Sequence, residues 1–202
     1  EQNSNELVEA IAAIHPEDYQ GFNSTEGVAE VSGEVEIRQF RQLKYLDDYD
    51  YDALRGFFWL TTPVQGTKVV AIAYELKNGD TRTTTFASDS ASVKRLKLIK
   101  PSTLNSTYEH CWSLMMKNVY DVGSRIPPEG FDLKIRTYRD GGFEEVQQVA
   151  PVKRFAYLLG LDRLNDQGVP VDDGDGNADI NNGNLFLRSY GKIMFPNRHP
   201  FN

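Results

Sequence analysis

Cysteine is almost missing from this chain: Cys111 stands alone. An internal disulfide framework and a cysteine-rich zinc site are therefore both excluded. Histidine is nearly as scarce, with only His15, His110 and His199. Positive charge is in deficit too, since 22 Lys and Arg face 29 Asp and Glu, leaving a net charge of −7. Nucleic acid and anionic bilayers require a basic footprint, so neither is an expected partner. The longest apolar runs, such as 69-VVAIAY-74, fall far short of the ~20 residues that cross a bilayer as a helix. No secretory signal is visible, and the start at Glu1 without methionine reads as a mature or excised piece.

Reaction signatures are also lacking. There is no G-x-S-x-G elbow, phosphate-cradling P-loop, dinucleotide fingerprint or H-E-x-x-H helix. His110 and Cys111 are adjacent, but neighbours on a helix project about 100° apart and share a proton poorly, so Cys111 reads as a packed residue. His15 and His199 each precede a proline near a chain end and stand in no ligand cluster. The acids Asp47, Asp48, Asp50 and Asp52 read as the solvated face of a strand, because an acid/base pair needs convergence that spacing does not supply. The expectation is a protein that is not an enzyme, in which no single His or Cys is indispensable.

What remains is 40% hydrophobic residues, enough for one or two modest cores. From Ser4, Leu7, Val8, Ile11 and Ile14 recur at helical spacing until Pro16, which predicts an N-terminal helix. The polar, glycine-bracketed 21-GFNSTEG-27 follows as a linker. Period-two alternation begins at 34-EVEIRQF-40, and successive strands are expected through residue 86, with turns at Arg55-Gly56, Pro63 to Gly66 and Asn78-Gly79. Phe57, Phe58 and Trp59 read as hairpin or core packing. A strand with one wet face is expected in 93-VKRLKLIK-100. A second helix is predicted over 107-TYEHCWSLMMKNVYDVG-123, ending at Gly123. Beyond it, 131-FDLKIRTY-138 and 143-FEEVQQV-149 alternate as strands around Asp140-Gly141-Gly142. The closing 191-GKIMFP-196 echoes 56-GFFWLTTP-63 as hairpin chemistry. The fold class expected is α+β and mainly β, built of small antiparallel, Ig-like β-sandwich units with two short helices. The segments are 1–30 (helix and linker), 31–100 (sandwich-like) and 101–202 (an α/β segment with an Asp-rich loop and a C-terminal hairpin).

That loop lies within 160-GLDRLNDQGVPVDDGDGNADI-180. Calcium takes six to eight hard oxygens, and loops written D-x-D-x-D-G-x-x-D supply alternate carboxylates around a glycine turn. Asp173, Asp175, Gly176 and Asp179 fit this pattern, which makes Asp173, Asp175 and Asp179 candidate metal ligands. The first position is Val171 and the distant bidentate glutamate is missing; Asp162, Asp172, Asn177 or Asn181 could complete the set. The competing reading is an acidic loop in which Asp and Asn only supply turns.

Several segments, taken in order, carry a resemblance: LKLIKPSTLNS, WSLMMKNVYDVGS, PEGFDLKIRTY, LLGLDRLNDQG, DGNADI and GKIMFPNRHPF. Together they resemble the SprA family, called Sov in some members, the giant outer-membrane translocon of type IX secretion and gliding motility in Bacteroidota. The likeness spans about residues 30 to 202. Ala178 and Ile180 stand where the family usually has aromatics, and His199 where it has an acid. The resemblance implies a non-enzymatic, soluble portion of a much larger β-barrel protein, on the extracellular rather than the periplasmic side of the outer membrane. The implied partners are other parts of the barrel, secretion-system proteins and secreted cargo in transit. A calcium- or carbohydrate-binding adhesin module is the alternative, with Tyr49, Tyr51 and Trp59 as a stacking surface for sugars.

Overall fold

The computed structural model describes residues 7–74, 83, 93–123, 125–127, 129–148 and 150–201. The expected Asn78-Gly79 turn lies outside them. Within them the protein is mainly β, with two one-turn α-helices and several antiparallel sheets. The strands are β1 (Leu7–Ala13), β2 (Val35–Arg41), β3 (Tyr49–Asp52), β4 (Phe57–Leu60), β5 (Val70–Ile72), β6 (Lys94–Lys100), β7 (Val119–Asp121), β8 (Thr137–Arg139), β9 (Gly142–Glu144), β10 (Phe186–Leu187) and β11 (Lys192–Met194). The helices are α1 (Glu109–Trp112) and α2 (Phe155–Leu158). No helix among the described residues is long and apolar enough to cross a membrane. The chain divides into two compact units, Glu1–Met115 and Met116–Asn202.

In the first unit a four-stranded sheet runs β2-β1-β6-β5. β1 pairs antiparallel with β2, placing Ile11 beside Ile37, and parallel with β6, placing Ala12 beside Leu96. Here the expected N-terminal helix is overturned. β1 is an interior strand covered on both faces: Ala10, Ala12, Leu96, Leu98 and Cys111 pack on one side, Ile11, Ala13 and Val35 on the other. Such a strand needs apolar side chains at nearly every position, and a short run of that kind also satisfies a helical template. Double coverage likewise buries Glu36, which sequence alternation had placed on a wet face. Its carboxylate accepts hydrogen bonds from the Ser102 amide (2.7 Å) and hydroxyl (3.0 Å), with Arg38 at 3.3 Å. The alternation expected of β6 is present, yet its lysines are tied down: Lys97 donates to the Ile14 carbonyl, and Lys100 to those of Gly66, Lys68 and Pro101.

The second unit has much shorter strands. Its three-stranded sheet runs β10-β11-β7, and β8 with β9 forms a separate hairpin. The core is Ile126, Leu161, Phe186, Ile193 and Phe195. The long helix expected over 107–123 is reduced to the single turn of α1, and Val119–Asp121 is a strand instead. Tertiary pairing accounts for this: Val119, Tyr120 and Asp121 ladder with Met194, Ile193 and Lys192. The strand expected at 131–138 survives as β8 only. Upstream of it Phe131, Leu133 and Ile135 still point one way and pack on the core, without a sheet partner. Gly191 makes a close approach possible. Its φ is +61°, and a Cβ there would lie 1.8 Å from the Gly123 carbonyl oxygen.

Candidate functional site

Two places hold the residues singled out by sequence, one in each unit. In the second unit the Asp-rich stretch wraps around Asp162, which is fully buried. The Asp162 carboxylate accepts the backbone N–H groups of Asp175 (3.0 Å) and Gly176 (3.1 Å). Gly174 passes so close, at φ +67°, that a Cβ would fall 2.2 Å from Asp162 Oδ1. Only glycine fits there, for lack of space as well as for conformation. Burial pushes the Asp162 carboxyl above the ordinary aspartate range, while the two backbone donors pull the other way.

The predicted metal ligands are distributed over separate tasks. Asp179 accepts from the amides of Arg163 (2.8 Å) and Leu164 (3.2 Å), and its own N–H donates to the Leu161 carbonyl at 2.8 Å. Asp175 closes a tight turn by accepting from the Asn177 amide at 2.8 Å. Asp173 holds a left-handed backbone at φ +75°, and its Oδ1 is buried with no hydrogen-bond partner. Asp172 faces outward onto Lys153 (2.8 Å), which holds its carboxyl below the usual range, and onto the Tyr157 hydroxyl. Among the described residues no three acidic, histidine or cysteine side chains form a group able to hold a metal. Sequence reading treated Asp162 as a possible extra ligand, whereas the structure makes it the hub. The usable signal was the pair of glycines in Asp173-Gly174-Asp175-Gly176, which marks a backbone folded tightly against something.

In the first unit the β3–β4 hairpin flanks an apolar cleft of about 620 Å³, with Phe40, Tyr49, Phe57, Phe58, Ala71 and Leu96 among its walls. Cross-strand pairing sets Tyr49 beside Leu60, Asp50 beside Trp59 and Tyr51 beside Phe58. Tyr49 and Tyr51 therefore share one face of the hairpin, and Trp59 lies on the other. The three-residue stacking surface is thus corrected, because a strand alternates its side chains. Tyr45 takes the place of Trp59, its ring centroid 5.8 Å from Tyr49 and 5.3 Å from Tyr51. The acidic face is corrected as well. Asp50 is buried, Asp52 is half-buried and bonded to Arg55, and Asp48 pairs with Arg41 at 3.2 Å. Each of Asp48 and Asp52 is held below its ordinary range, first by a backbone N–H and then by its arginine.

Cys111 is buried, with Sγ 3.7 Å from the Gly33 carbonyl, and burial raises its thiol above the ordinary cysteine value. An elevated, enclosed thiol is a poor nucleophile. No protein-family model matches the chain, and no curated protein matches it in sequence.

Proposed function

We propose that this chain is a non-enzymatic, soluble domain of a SprA-type outer-membrane translocon, acting in type IX secretion and gliding motility by shaping a surface for partners. One observation carries the reading: the segments that resemble the family fall on residues that build the scaffold. WSLMMKNVYDVGS contains Asn118, whose buried amide donates to the Phe195 carbonyl at 2.8 Å, and the whole of β7. LLGLDRLNDQG and DGNADI supply the two sides of the Asp162 staple. GKIMFPNRHPF opens on the obligatory Gly191 and runs through β11 to Phe195. A signature made of turn glycines, buried aromatics and backbone-binding carboxylates specifies a shape, and a shape is what a docking element needs.

The expected boundary at residue 30 gives way to a first unit that includes β1 at the centre of its sheet; on this reading that unit is the sandwich-like, Ig-like part, and the domain sits on the extracellular side. There it contacts other parts of the barrel, secretion-system proteins and cargo in transit. The test is made in the full-length protein of a type IX-secreting bacterium, by introducing Gly191→Ala and following cargo release and gliding. Reduced release with the protein still in the outer membrane is expected. Normal release and gliding from a strain whose second unit is unfolded would sink the reading.

A second reading, a carbohydrate- or calcium-binding adhesin, is favoured at one point by the exposed Tyr45 and Tyr51 rings beside Tyr49. Stacking on sugars predicts that Tyr51→Ala abolishes retention on a polysaccharide affinity gel while leaving the fold intact.

A further inference from the structure

Two of the three histidines, distant in sequence, meet in the first unit. His15 follows β1 and caps the 3-10 turn Pro16–Tyr19, and His110 lies in α1. Their ring centroids are 6.1 Å apart and the rings are inclined by 72°. With metal–nitrogen bonds of about 2.0–2.1 Å, two imidazoles on one tetrahedral ion place their ring centres roughly 5.2 Å apart. The observed spacing is about 0.9 Å wider than that, a gap that rotation of the side chains closes, and both residues are exposed, so an ion can reach them.

A third group completes the arrangement from behind. Glu17 Oε1 stands 3.6 Å from His15 Nδ1. Drawn in to hydrogen-bond distance on metal binding, this carboxylate would favour the tautomer with the proton on Nδ1 and leave Nε2 as the ligand, the usual outer-shell support of a metal-binding histidine. In such a site the two imidazoles would bind the ion directly, Glu17 would orient one of them, and the remaining positions would be for water or an outside donor.

We propose that His15 and His110 form a two-histidine site for a divalent transition metal, with Glu17 as a positioning residue. Nitrogen ligands select Zn²⁺, Ni²⁺ or Cu²⁺ over Ca²⁺ and Mg²⁺, which demand oxygen. The bound ion would clamp the end of β1 to α1. Ile14 and Cys111, the neighbours of the two histidines, already share one core cluster. This site is independent of the translocon reading and of the Asp-rich loop.

The test is calorimetric titration of the whole chain with Zn²⁺, and with Ca²⁺ as control, on wild type, H15A, H110A, E17Q and H199A. Expected are one Zn²⁺ per chain, a raised melting temperature with Zn²⁺, and no binding of Ca²⁺ at these residues. H15A and H110A should lose the site, E17Q should weaken it by about tenfold, and H199A should behave as wild type. The histidine variants change exposed side chains and E17Q is isosteric at a half-buried one, so folding should be retained and is verified by circular dichroism. Zn²⁺ binding that persists unchanged in both H15A and H110A, or no binding by wild type up to about 1 mM, where affinity is only about 4 kcal/mol, overturns the proposal.

Discussion

The two units solve the same problem with different materials. The first is organised by a sheet whose longest strands, β1, β2 and β6, have seven residues each. Its interior strand is sealed by apolar side chains on both faces. The second has strands of only two or three residues, too short to hold themselves together. Carboxylates and an amide bind backbone groups there instead, with Asp162, Asp179 and Asn118 standing in for missing ladder bonds. The lesson is that acidic density has no single meaning. Around residue 50 it supports a hairpin through amides a few residues away and arginine pairs, and around residue 175 it ties together backbone amides far apart in the chain.

Substitutions should separate the two strategies. The largest effect is expected for Gly191→Ala, where a methyl would overlap the Gly123 carbonyl at a left-handed φ. The loss should exceed about 4 kcal/mol and unfold the second unit in a chemical denaturation assay, with the first unit still folded. Leu98→Ala, at a site with no exposure, should cost the first unit about 2–5 kcal/mol. A cost confined to the second unit would break the contrast. Third comes Asp162→Ala, which removes the acceptor of two part-buried N–H donors and should cost about 2–3 kcal/mol. An equal cost for Asp175→Ala would mean that the hub has been misplaced.

Acidity sharpens the comparison within the second unit, because two of its carboxyl groups should be shifted from the ordinary aspartate range in opposite directions. Asp121 is held low by the Lys192 ammonium and then by the Gly123 amide. Its contribution is present above the ordinary aspartate value and disappears as pH falls through the lowered one. Asp162 is pushed up by burial. Its contribution is present at acid pH and is lost as pH rises through the raised value. Carboxyl-carbon NMR titration should place Asp121 below, and Asp162 above, an unperturbed aspartate. The reverse order would mean that the two backbone donors to Asp162 outweigh its burial. The smallest expected effect is that of calcium. A ligand at a hundred times its Kd adds about 2.7 kcal/mol, and no such rise is expected for a loop whose carboxylates Asp175 and Asp179 bind backbone amides. A clear increase in melting temperature with calcium would restore the metal reading of Asp173, Asp175 and Asp179.

Particular residues show how far sequence reading reached. The hairpin at Arg55-Gly56, the strand of 94–100, the packed Cys111 and the alternating Phe131, Leu133 and Ile135 were all legible, because period-two patterns and turn glycines report local chemistry. Misreadings arose where coverage, rather than pattern, decides. β1 looked helical because an interior strand leaves no polar face to set its period, and Met115 and Met116 look like the buried stripe of a helix yet are exposed. Trp59 was grouped with Tyr49 and Tyr51 by nearness along the chain, although the pleat sends it to the opposite face.

Alone, the sequence determined that the chain is acidic, free of disulfides and without the familiar catalytic motifs, and that β structure with tight glycine turns would dominate. These properties belong to composition and to neighbours a few residues apart. Tertiary structure alone decided that Leu7–Ala13 lies inside a sheet, that Asp162 gathers the acidic loop, and that His15 meets His110. Each of these depends on groups far apart in the chain, brought together only when the free energy of burying both partners exceeds the entropy lost in ordering them.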